Sequence, residues 1–503
     1  MRRSMAVWSI GLAGVLYGQQ GEQRGIITDF LSFFDIANSY TGIVCPQEGF
    51  SYPLVSLNRQ EVDHGLRRTA WVKKYLAENH QITGRAPKIA VCISGGGVRA
   101  LVGGLGFLKA MQEEGFLECS SYLCGLSGST WGISGLLESK VGVGDYLEFL
   151  KMGLQVGFFN GIDGRKIGDE LLKKVENGQS VSLIDIWGVL IAEKILANSR
   201  NRALTSITLS NYMQLPQDGS SLMPIYSCVT PLGGLEAQTY QWVEWTPFEV
   251  SCPYLKTAIP LWALGRTFKE GKSIDMPAPL SLSFGLGVWG SVMSGNIQDL
   301  LKVVMNPLLA CEGNLLACVL PQLDSNSFFD QMSRMRAFPA KLPNWNWQLE
   351  GAPACDCQTL TFVDAAFLCN LPLIPALNPL REVDIIIAVD LTIGDDFVLE
   401  LPCTATYAAD NGLPFPPINP DKLRNICSVY GAEDARVPTI VYFPLVANQD
   451  YMGGWDPQTA DFTGTLNVTY TPAQVDLVSG LMYTACKQNS FIIWDLIKKA
   501  ANR

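Results

Sequence analysis

The run Lys88-Ile-Ala-Val-Cys-Ile-Ser94 is followed by three glycines, Gly95-Gly-Gly97, and it begins the clearest structural unit in the sequence. The apolar run suits a strand buried on both faces of a sheet, and the glycines end it. From residue 98 onward apolar residues recur at helical spacing until Gly115 closes the helix. A second strand is predicted at residues 121–126, again followed by a tight turn and a helix. This order predicts an α/β fold with a largely parallel sheet.

Further strands are predicted far downstream, at residues 360–363 and 383–389, the latter rich in β-branched side chains. More than two hundred residues separate them from the second turn, so we expect extra helices or a cap there. Segment 296–320 is amphipathic and fits either a mobile lid over an apolar pocket or a packed helical hairpin. The predicted class is therefore α/β, a central and mostly parallel sheet flanked by helices, with a helical cap or lid.

Composition narrows the classes of function. The 503 residues are 48% hydrophobic and only 17% charged, which is enough apolar material for a large core and an exposed apolar face. The net charge is −10 and the isoelectric point is about 4.9. No run of Lys or Arg could follow a phosphate backbone, so nucleic acid is not expected as a partner. Docking to a membrane would be mainly apolar.

The first residues allow two interpretations. Arg2 and Arg3 precede the uncharged stretch 5–18, as in a secretory signal peptide at 1–18, but an ordinary N-terminal helix fits too. The protein is expected to be secreted in the first case and cytoplasmic with peripheral membrane contact in the second. A later uncharged run, 276–298, is rich in Gly and Ser and contains two prolines. We predict buried soluble structure there.

Fourteen cysteines are spread along the chain, several inside apolar runs, and most are predicted to be buried free thiols. Cys355 and Cys357 lie in a Pro- and Gly-containing stretch, where either a local redox role or no role is possible. The chain has no CxxC pair and only two histidines, so a zinc site is not expected.

The stretch Gly125-Leu-Ser127-Gly-Ser129 at the end of the second strand has the pattern of a nucleophile elbow. In such a turn a strained serine exposes its hydroxyl, and small residues two positions away let strand and helix come close. The five-residue pattern also arises by chance. Its position between a strand and a helix is what favours the functional interpretation.

The glycine turn before the first helix can present free backbone N–H groups to a developing oxyanion. Arg99 follows it, either to hold a lipid phosphate or as a surface arginine at the helix start. Gly95, Gly97 and Ala100 also satisfy the dinucleotide-binding fingerprint. That alternative expects a carboxylate at the tip of the second strand, where this chain has Ser127.

A nucleophilic serine needs a base, usually a histidine. The two histidines, His64 and His80, lie in a polar amphipathic helix predicted at 58–80, where we expect both to be solvated. A carboxylate can replace histidine in a dry site that raises its proton affinity. Asp364, in a strand that runs into Ala365 and Ala366, is a candidate, although spacing alone does not single it out.

Taken together, these motifs resemble the catalytic domain of the cytosolic (group IV) phospholipases A2, related to fungal lysophospholipases and to patatins. The resemblance runs from Tyr52 to the C-terminus. It rests on eight ordered blocks: Ser94-Gly-Gly-Gly-Val-Arg99-Ala100, Gly125-Leu-Ser-Gly-Ser-Thr-Trp131, Asp185-Ile-Trp-Gly188, Trp242-Val-Glu-Trp-Thr-Pro247, Gly287-Val-Trp-Gly-Ser291, Asn370-Leu-Pro372, Arg381-Glu-Val-Asp-Ile-Ile-Ile387 and Leu413-Pro-Phe-Pro416.

The resemblance implies hydrolysis of fatty-acyl esters of phospholipids or lysophospholipids through an acyl-serine intermediate, at a membrane or micelle surface. It assigns the role of nucleophile to Ser127, that of its partner to Asp364, and those of the oxyanion donors to Gly96 and Gly97. It assigns a phosphate contact to Arg99 and a further substrate contact to Arg381. No cofactor or metal is implied. The chain divides into an N-terminal segment, 1–51, and a catalytic domain, 52–503. The segment is too short for a calcium- and membrane-binding module, so we expect calcium-independent activity.

One departure concerns the two residues after Asp364. The family has Ser-Gly or Gly-Gly there, whereas Ala365-Ala366 lacks a residue that tolerates positive φ. A catalytically silent lipid-binding protein of the same fold therefore stays open. A transacylase that passes the acyl group to an alcohol also stays open, because the sequence does not separate it from a hydrolase.

Overall fold

The computed structural model describes residues 48–157, 164–179, 181–196, 204–212, 214–232, 239–291, 339–394, 398–465 and 467–503. The possible signal peptide at 1–18 and the amphipathic segment 296–320 lie outside these ranges. Both interpretations of each stay predictions.

The described ranges contain fourteen strands. They are β1 (Tyr52–Pro53), β2 (Ile89–Ile93), β3 (Tyr122–Leu126), β4 (Met223–Pro231), β5 (Tyr240–Trp245), β6 (Glu249–Cys252), β7 (Thr257–Pro260), β8 (Phe268–Lys269), β9 (Lys272–Ser273), β10 (Ala340–Pro343), β11 (Thr359–Asp364), β12 (Ile385–Asp390), β13 (Ser428–Tyr430) and β14 (Thr439–Pro444).

The same ranges contain twelve α-helices. They are α1 (Arg59–His80), α2 (Gly97–Glu113), α3 (Phe116–Cys119), α4 (Gly128–Ser139), α5 (Val143–Val156), α6 (Gly164–Glu176), α7 (Leu183–Ile195), α8 (Leu209–Tyr212), α9 (Leu282–Trp289), α10 (Glu400–Asp410), α11 (Pro472–Gln488) and α12 (Ser490–Ala501). Short 3-10 turns include Ala365–Phe367 and Asp461–Thr463.

The centre of the main sheet is parallel, in the spatial order β4-β3-β2-β12-β14. Antiparallel strands extend both sides, with β5, β6, β7 and β1 beyond β4 and β13 beyond β14. The predicted α/β class and the four predicted strands are confirmed. The residues between the second turn and β11 form helices, as expected, but also the central strand β4 and an antiparallel extension that the sequence did not predict.

Two apolar cores lie on opposite faces of this sheet because successive strand residues point to opposite sides. Ile89 and Val91 of β2 belong to one core, which includes side chains of α2, α7, α9 and α11. Ala90 and Cys92 belong to the other, together with Leu401 of α10. The strands are therefore buried on both faces, which explains why they are continuously apolar.

Helix α2 is held firmly behind the glycine turn that precedes it. Its Gly106 packs so closely on α11 that an added methyl group would overlap the carbonyl oxygen of Ser479. Two further glycines of the helix, Gly103 and Gly104, face Leu391 and Ile93 at the ends of β12 and β2. The start of α2, at Gly97, is thereby fixed at the carboxyl edge of the parallel strands.

The described chain enters the main sheet at residue 52, with strand β1, and the division of the chain at that residue stays a prediction. Phe50 forms a bridge with Lys272, and Tyr52 pairs with Ala258 of β7. The uncharged run 276–298 contains helix α9, which is entirely buried, as predicted for its described part. No helix within the described ranges is long and apolar enough to cross a membrane.

Candidate active site

Ser127 occupies a sharp bend between β3 and α4, and its backbone is strained. Its φ of 50° and ψ of −134° lie outside the regions that residues with a side chain usually adopt. Its backbone N–H donates to the carbonyl oxygen of Trp289 at 3.1 Å. A strained serine between a strand and a helix is the geometry of a nucleophile elbow.

Small residues on both sides of the bend make it possible. A methyl group on Gly125 would lie 2.7 Å from Ile133 Cδ1, and one on Gly128 would overlap the carbonyl oxygen of Gly97. The Ser129 hydroxyl accepts from Leu126 N–H at 3.1 Å. This close approach brings the serine bend against the glycine turn of the neighbouring strand.

The glycine turn has a conformation that only glycine adopts readily. Gly96 has φ 137° and Gly97 has φ 61°. A methyl group on Gly97 would also lie 2.5 Å from the carbonyl oxygen of Thr465. Since Gly97 begins α2 and Gly128 begins α4, their N–H groups lie in the first turns of helices, which leave N–H groups without intrahelical acceptors. Gly128 is a potential third donor that the sequence analysis did not name.

Asp364 ends β11 on the same side of β4 as the serine bend. Leu126, the residue before Ser127, pairs with Ser227 of β4, and Asp364 pairs with Cys228, the next residue of that strand. Strand β11 thus continues the line of β3 where β3 stops. The structure brings Asp364 and the residue before Ser127 to consecutive positions along β4, although Asp364 and Ser127 are 237 positions apart in the chain.

The end of helix α9 contacts both residues. Trp289 accepts the Ser127 N–H through its carbonyl oxygen, and the Ser291 hydroxyl accepts the Asp364 N–H at 2.9 Å. Both contacts are buried. These two positioning residues belong to one of the blocks that carry the resemblance, but nothing in their spacing indicated the contacts.

The residues after Asp364 do not need positive φ. Ala365–Phe367 is a 3-10 turn, and the Asp364 carboxylate caps it by accepting the Ala366 N–H at Oδ1, 3.0 Å away. The substitution of alanines for the family's glycine therefore leaves a regular turn. This bond also fixes the rotation of the carboxylate.

Arg99 is buried behind the glycine turn rather than exposed on the surface. Its Nε donates to the carbonyl oxygen of Leu391 at 2.6 Å, and its Nη1 donates to that of Thr463. Its Nη2 lies so close to Gly96 that a methyl group there would overlap it. Burial lowers the pKa of Arg99 to about 10, which leaves it charged at neutral pH. The predicted phosphate contact stays a prediction.

The prediction that Arg381 binds substrate finds no support in its position. The guanidinium donates to the carboxylates of Glu61 and Glu244, each at 2.7 Å, and it lies 5.9 Å from the ring of Tyr122. Tyr122 begins β3, so a span on the order of 16 Å separates it from Ser127 at about 3.3 Å per strand residue. All three charged side chains are buried, and we assign Arg381 a structural role.

The expectation that both histidines are solvated is wrong. His64 is 2% exposed and lies near Arg67 and Arg68. His80 is partly exposed, and its ring is tilted against that of Trp494 with 3.9 Å between the ring centroids. Helix α1 faces the amino edge of the sheet, because Arg68 donates to the carbonyl oxygen of Ser120, just before β3. Ser127 lies at the other edge, so neither histidine occupies the position of a catalytic base. Among the described residues, no group of three or more His, Cys, Asp or Glu could hold a metal ion.

A serine elbow, a glycine turn and a strand-end carboxylate at one edge of a parallel sheet define a class, the serine hydrolases of α/β fold. Comparison with known proteins is more specific. The lysophospholipase catalytic domain family matches residues 89–399, more than half of the chain. The chain belongs to this family, and the resemblance drawn from its motifs is confirmed.

Similar proteins include human cytosolic phospholipase A2 zeta, which is 28% identical in an alignment of 473 residues. The match covers 78% of this chain and 54% of that protein. Mouse cytosolic phospholipase A2 epsilon is 25% identical in an alignment of 500 residues, and the match covers 85% of this chain and 56% of that protein. The chain thus spans about half the length of these relatives.

Solved structures agree on the fold. Human GIVD cytosolic phospholipase A2 superimposes with a TM-score of 0.73 at 20% identity, covering 91% of this chain and 69% of that one. The same human protein in complex with methyl gamma-linolenyl fluorophosphonate gives a TM-score of 0.70 at 22% identity, covering 91% and 66%.

Proposed function

We propose that this chain is a phospholipase A2 or lysophospholipase that hydrolyses fatty-acyl esters of glycerophospholipids through an acyl-serine intermediate. Ser127 is the nucleophile and Asp364 is its base. The observation that carries the proposal is the pairing of Leu126 and Asp364 with consecutive residues of β4, beside a glycine turn. Both histidines lie elsewhere, which favours a dyad over a triad.

In the first step, the Asp364 carboxylate accepts the proton of the Ser127 hydroxyl while the oxygen attacks the acyl carbonyl. The carbonyl oxygen of the ester becomes an oxyanion, which the N–H groups of Gly96 and Gly97 stabilise. The rigid placement of these donors by α2 and Arg99 lowers the barrier because no dipole has to reorient during the reaction. Asp364 then returns the proton to the departing alcohol, the deacylated lipid.

In the second step, water replaces the alcohol. Asp364 takes a proton from the water, whose oxygen attacks the acyl-serine carbonyl, and the same donors hold the second oxyanion. Collapse breaks the bond between the acyl carbon and the Ser127 oxygen, which takes the proton back from Asp364, and the fatty acid is released. The hydrogen bond from the Ala366 N–H to the Asp364 carboxylate keeps the carboxylate in one orientation through both steps. This regular turn supports an active enzyme over a silent lipid-binding protein.

The substrate class follows from the relatives, whose names specify phospholipase A2. A chain rich in apolar and poor in charged residues suits a lipid interface, to which it would bind through peripheral, mainly apolar contacts. The mechanism uses no metal, so we propose that hydrolysis is independent of calcium.

A fluorophosphonate probe tests the proposal because it forms a covalent bond with an activated serine. The wild type and the control Ser139→Ala should be labelled, and Ser127→Ala should not. Hydrolysis of lysophosphatidylcholine should continue in the presence of a calcium chelator. Labelling that persists in Ser127→Ala would refute the assigned nucleophile. Analysis of products with and without an alcohol acceptor distinguishes hydrolysis from acyl transfer.

A further inference from the structure

Two thiols that lie 34 residues apart in the chain meet beside residues 365–370, the segment that follows Asp364. The sulfur atoms of Cys369 and Cys403 are 2.7 Å apart, and both cysteines are free. Cys369 is 2% exposed, whereas Cys403 is partly exposed. One thiol of the pair can therefore meet a reagent from solution, and the other lies directly behind it.

Each thiol belongs to a different element. Cys369 follows the turn that Asp364 caps, and its N–H donates to the carbonyl oxygen of Ala365 at 3.2 Å. Cys403 is in helix α10, where its thiol donates to the carbonyl oxygen of Leu368 at 3.2 Å. Helix α10 makes a second hydrogen bond with this segment, because the Glu400 carboxylate accepts the Asn370 N–H at 2.7 Å.

We propose that Cys369 and Cys403 form a reversible disulfide that fastens the segment following Asp364 to helix α10. The oxidant is a low-molecular-weight disulfide such as glutathione disulfide. The Cys403 thiolate attacks one sulfur of this disulfide and releases one glutathione thiol. Cys369 then attacks the Cys403 sulfur and releases the second. The two protein thiols lose two electrons and two protons. The glutathione disulfide takes up these electrons and protons and becomes two molecules of reduced glutathione.

The order of attack follows from exposure and from the hydrogen bond within the pair. The contact with the Cys369 thiol lowers the pKa of Cys403 below its ordinary value. The same bond, with burial, raises the pKa of Cys369. Since the thiolate is the reactive form, Cys403 reacts first and Cys369 resolves the mixed disulfide.

The pair that the sequence suggested has a different environment. The Cys357 thiol is exposed and donates to the carboxylate of its neighbour Asp356 at 3.7 Å rather than to Cys355. The contact with Asp356 contributes to raising the pKa of Cys357, after burial. Cys357 is therefore the suitable control, an exposed thiol without a partner sulfur in contact.

Closing the Cys369–Cys403 contact to a bond of about 2.05 Å requires only a small movement of either sulfur. We therefore expect oxidation to leave the Asp364 cap in place and hydrolysis unchanged. The new crosslink restricts the unfolded chain, so the oxidised protein should melt at a higher temperature. The inference concerns a covalent bond and does not rest on the proposed function.

The test oxidises the full chain with glutathione disulfide, blocks the remaining thiols with N-ethylmaleimide at low pH and maps disulfide-linked peptides by mass spectrometry. We expect one linkage, between Cys369 and Cys403, reversed by a phosphine reductant. It should be retained in Cys357→Ser and absent in Cys403→Ser. Oxidation should raise the melting temperature of the wild type and of Cys357→Ser but not of Cys403→Ser.

The linkage is mapped in the wild type, so its outcome does not depend on the folding of a variant. Separate glutathione or maleimide adducts on Cys369 and Cys403 after oxidation would overturn the proposal. A linkage between Cys355 and Cys357 in their place would overturn it too. A melting temperature that rises equally in Cys403→Ser would show that the stabilisation comes from another thiol.

Discussion

Asn370 and Gly95 hold each other through two hydrogen bonds across the active-site edge of the sheet. The Gly95 N–H donates to the Asn370 backbone carbonyl at 3.2 Å, and the Asn370 side-chain amide donates to the Gly95 carbonyl at 3.3 Å. A methyl group on Gly95 would lie 2.7 Å from Ser127 Cβ. Asn370 thus positions the glycine turn relative to the serine.

We expect Asn370→Ala to lower kcat about 10- to 100-fold with little change in KM, because misplaced donors weaken stabilisation of the transition state more than substrate binding. Steady-state hydrolysis of lysophosphatidylcholine measures both constants. The matched control is Asn411→Ala, an exposed asparagine whose amide donates to the Tyr407 carbonyl at the end of α10. A rise in KM at constant kcat would argue that Asn370 binds substrate instead.

Histidine should be dispensable for the chemistry. His64→Gln and His80→Gln are expected to keep kcat within about threefold of the wild type, since neither side chain reaches the serine. The measurement is hydrolysis per folded molecule, with folding checked by circular dichroism. A loss on the order of a thousandfold in either folded variant would point to a catalytic triad.

The buried His64 should make stability depend on pH. Burial, followed by the charges of Arg67 and Arg68, lowers its pKa from 6.5 to about 4. Between these values the unfolded chain binds a proton that the folded chain does not, so the free energy of unfolding falls as the pH is lowered through this window. His64→Gln should lose this component, and the difference between wild type and variant should be constant above pH 6.5. If the free energies of unfolding of the wild type and of His64→Gln changed in parallel from pH 7 to pH 4, the lowered pKa of His64 would be contradicted.

The buried cluster around Arg381 should matter for stability. Removing the guanidinium in Arg381→Ala leaves Glu61 and Glu244 buried without it, which we expect to lower the free energy of unfolding by about 3–5 kcal/mol. The control is Arg436→Ala, whose pair with Asp434 is exposed to solvent, so that its removal should change the free energy of unfolding far less. Urea titration measures both. Equal effects would mean that the cluster is not the structural anchor we infer.

The elements predicted from the sequence were those whose pattern is local. Strands β2 and β3 are apolar runs ended by glycine or by the serine turn, and Ser127 has small neighbours at fixed spacing. Strand β4 was missed because Pro224 and Pro231 lie within it, and proline is a strong indicator against a central strand. Its pairing with β11 is nevertheless what brings Asp364 to the site.

Contacts between distant residues could not be predicted in this way. Asp364 was singled out only by resemblance, because many carboxylates follow strand-like runs. The Ser291 contact with Asp364 joins residues 73 positions apart, and the Cys369–Cys403 contact joins residues 34 apart. His64 was predicted to be solvated because its helix is polar, yet Arg68, on the same helix, is itself buried by hydrogen bonds to backbone carbonyls. Such partners become visible only once the chain is folded.

The most direct test compares wild type, Ser127→Ala and Asp364→Ala on phosphatidylcholine and lysophosphatidylcholine vesicles. Each substitution should lower turnover by a factor on the order of a thousand or more, and the double variant should be no worse than either single one, as expected when a nucleophile and its base act as one unit. Folded Asp364→Ala that retains hydrolysis near the wild-type rate would contradict the dyad.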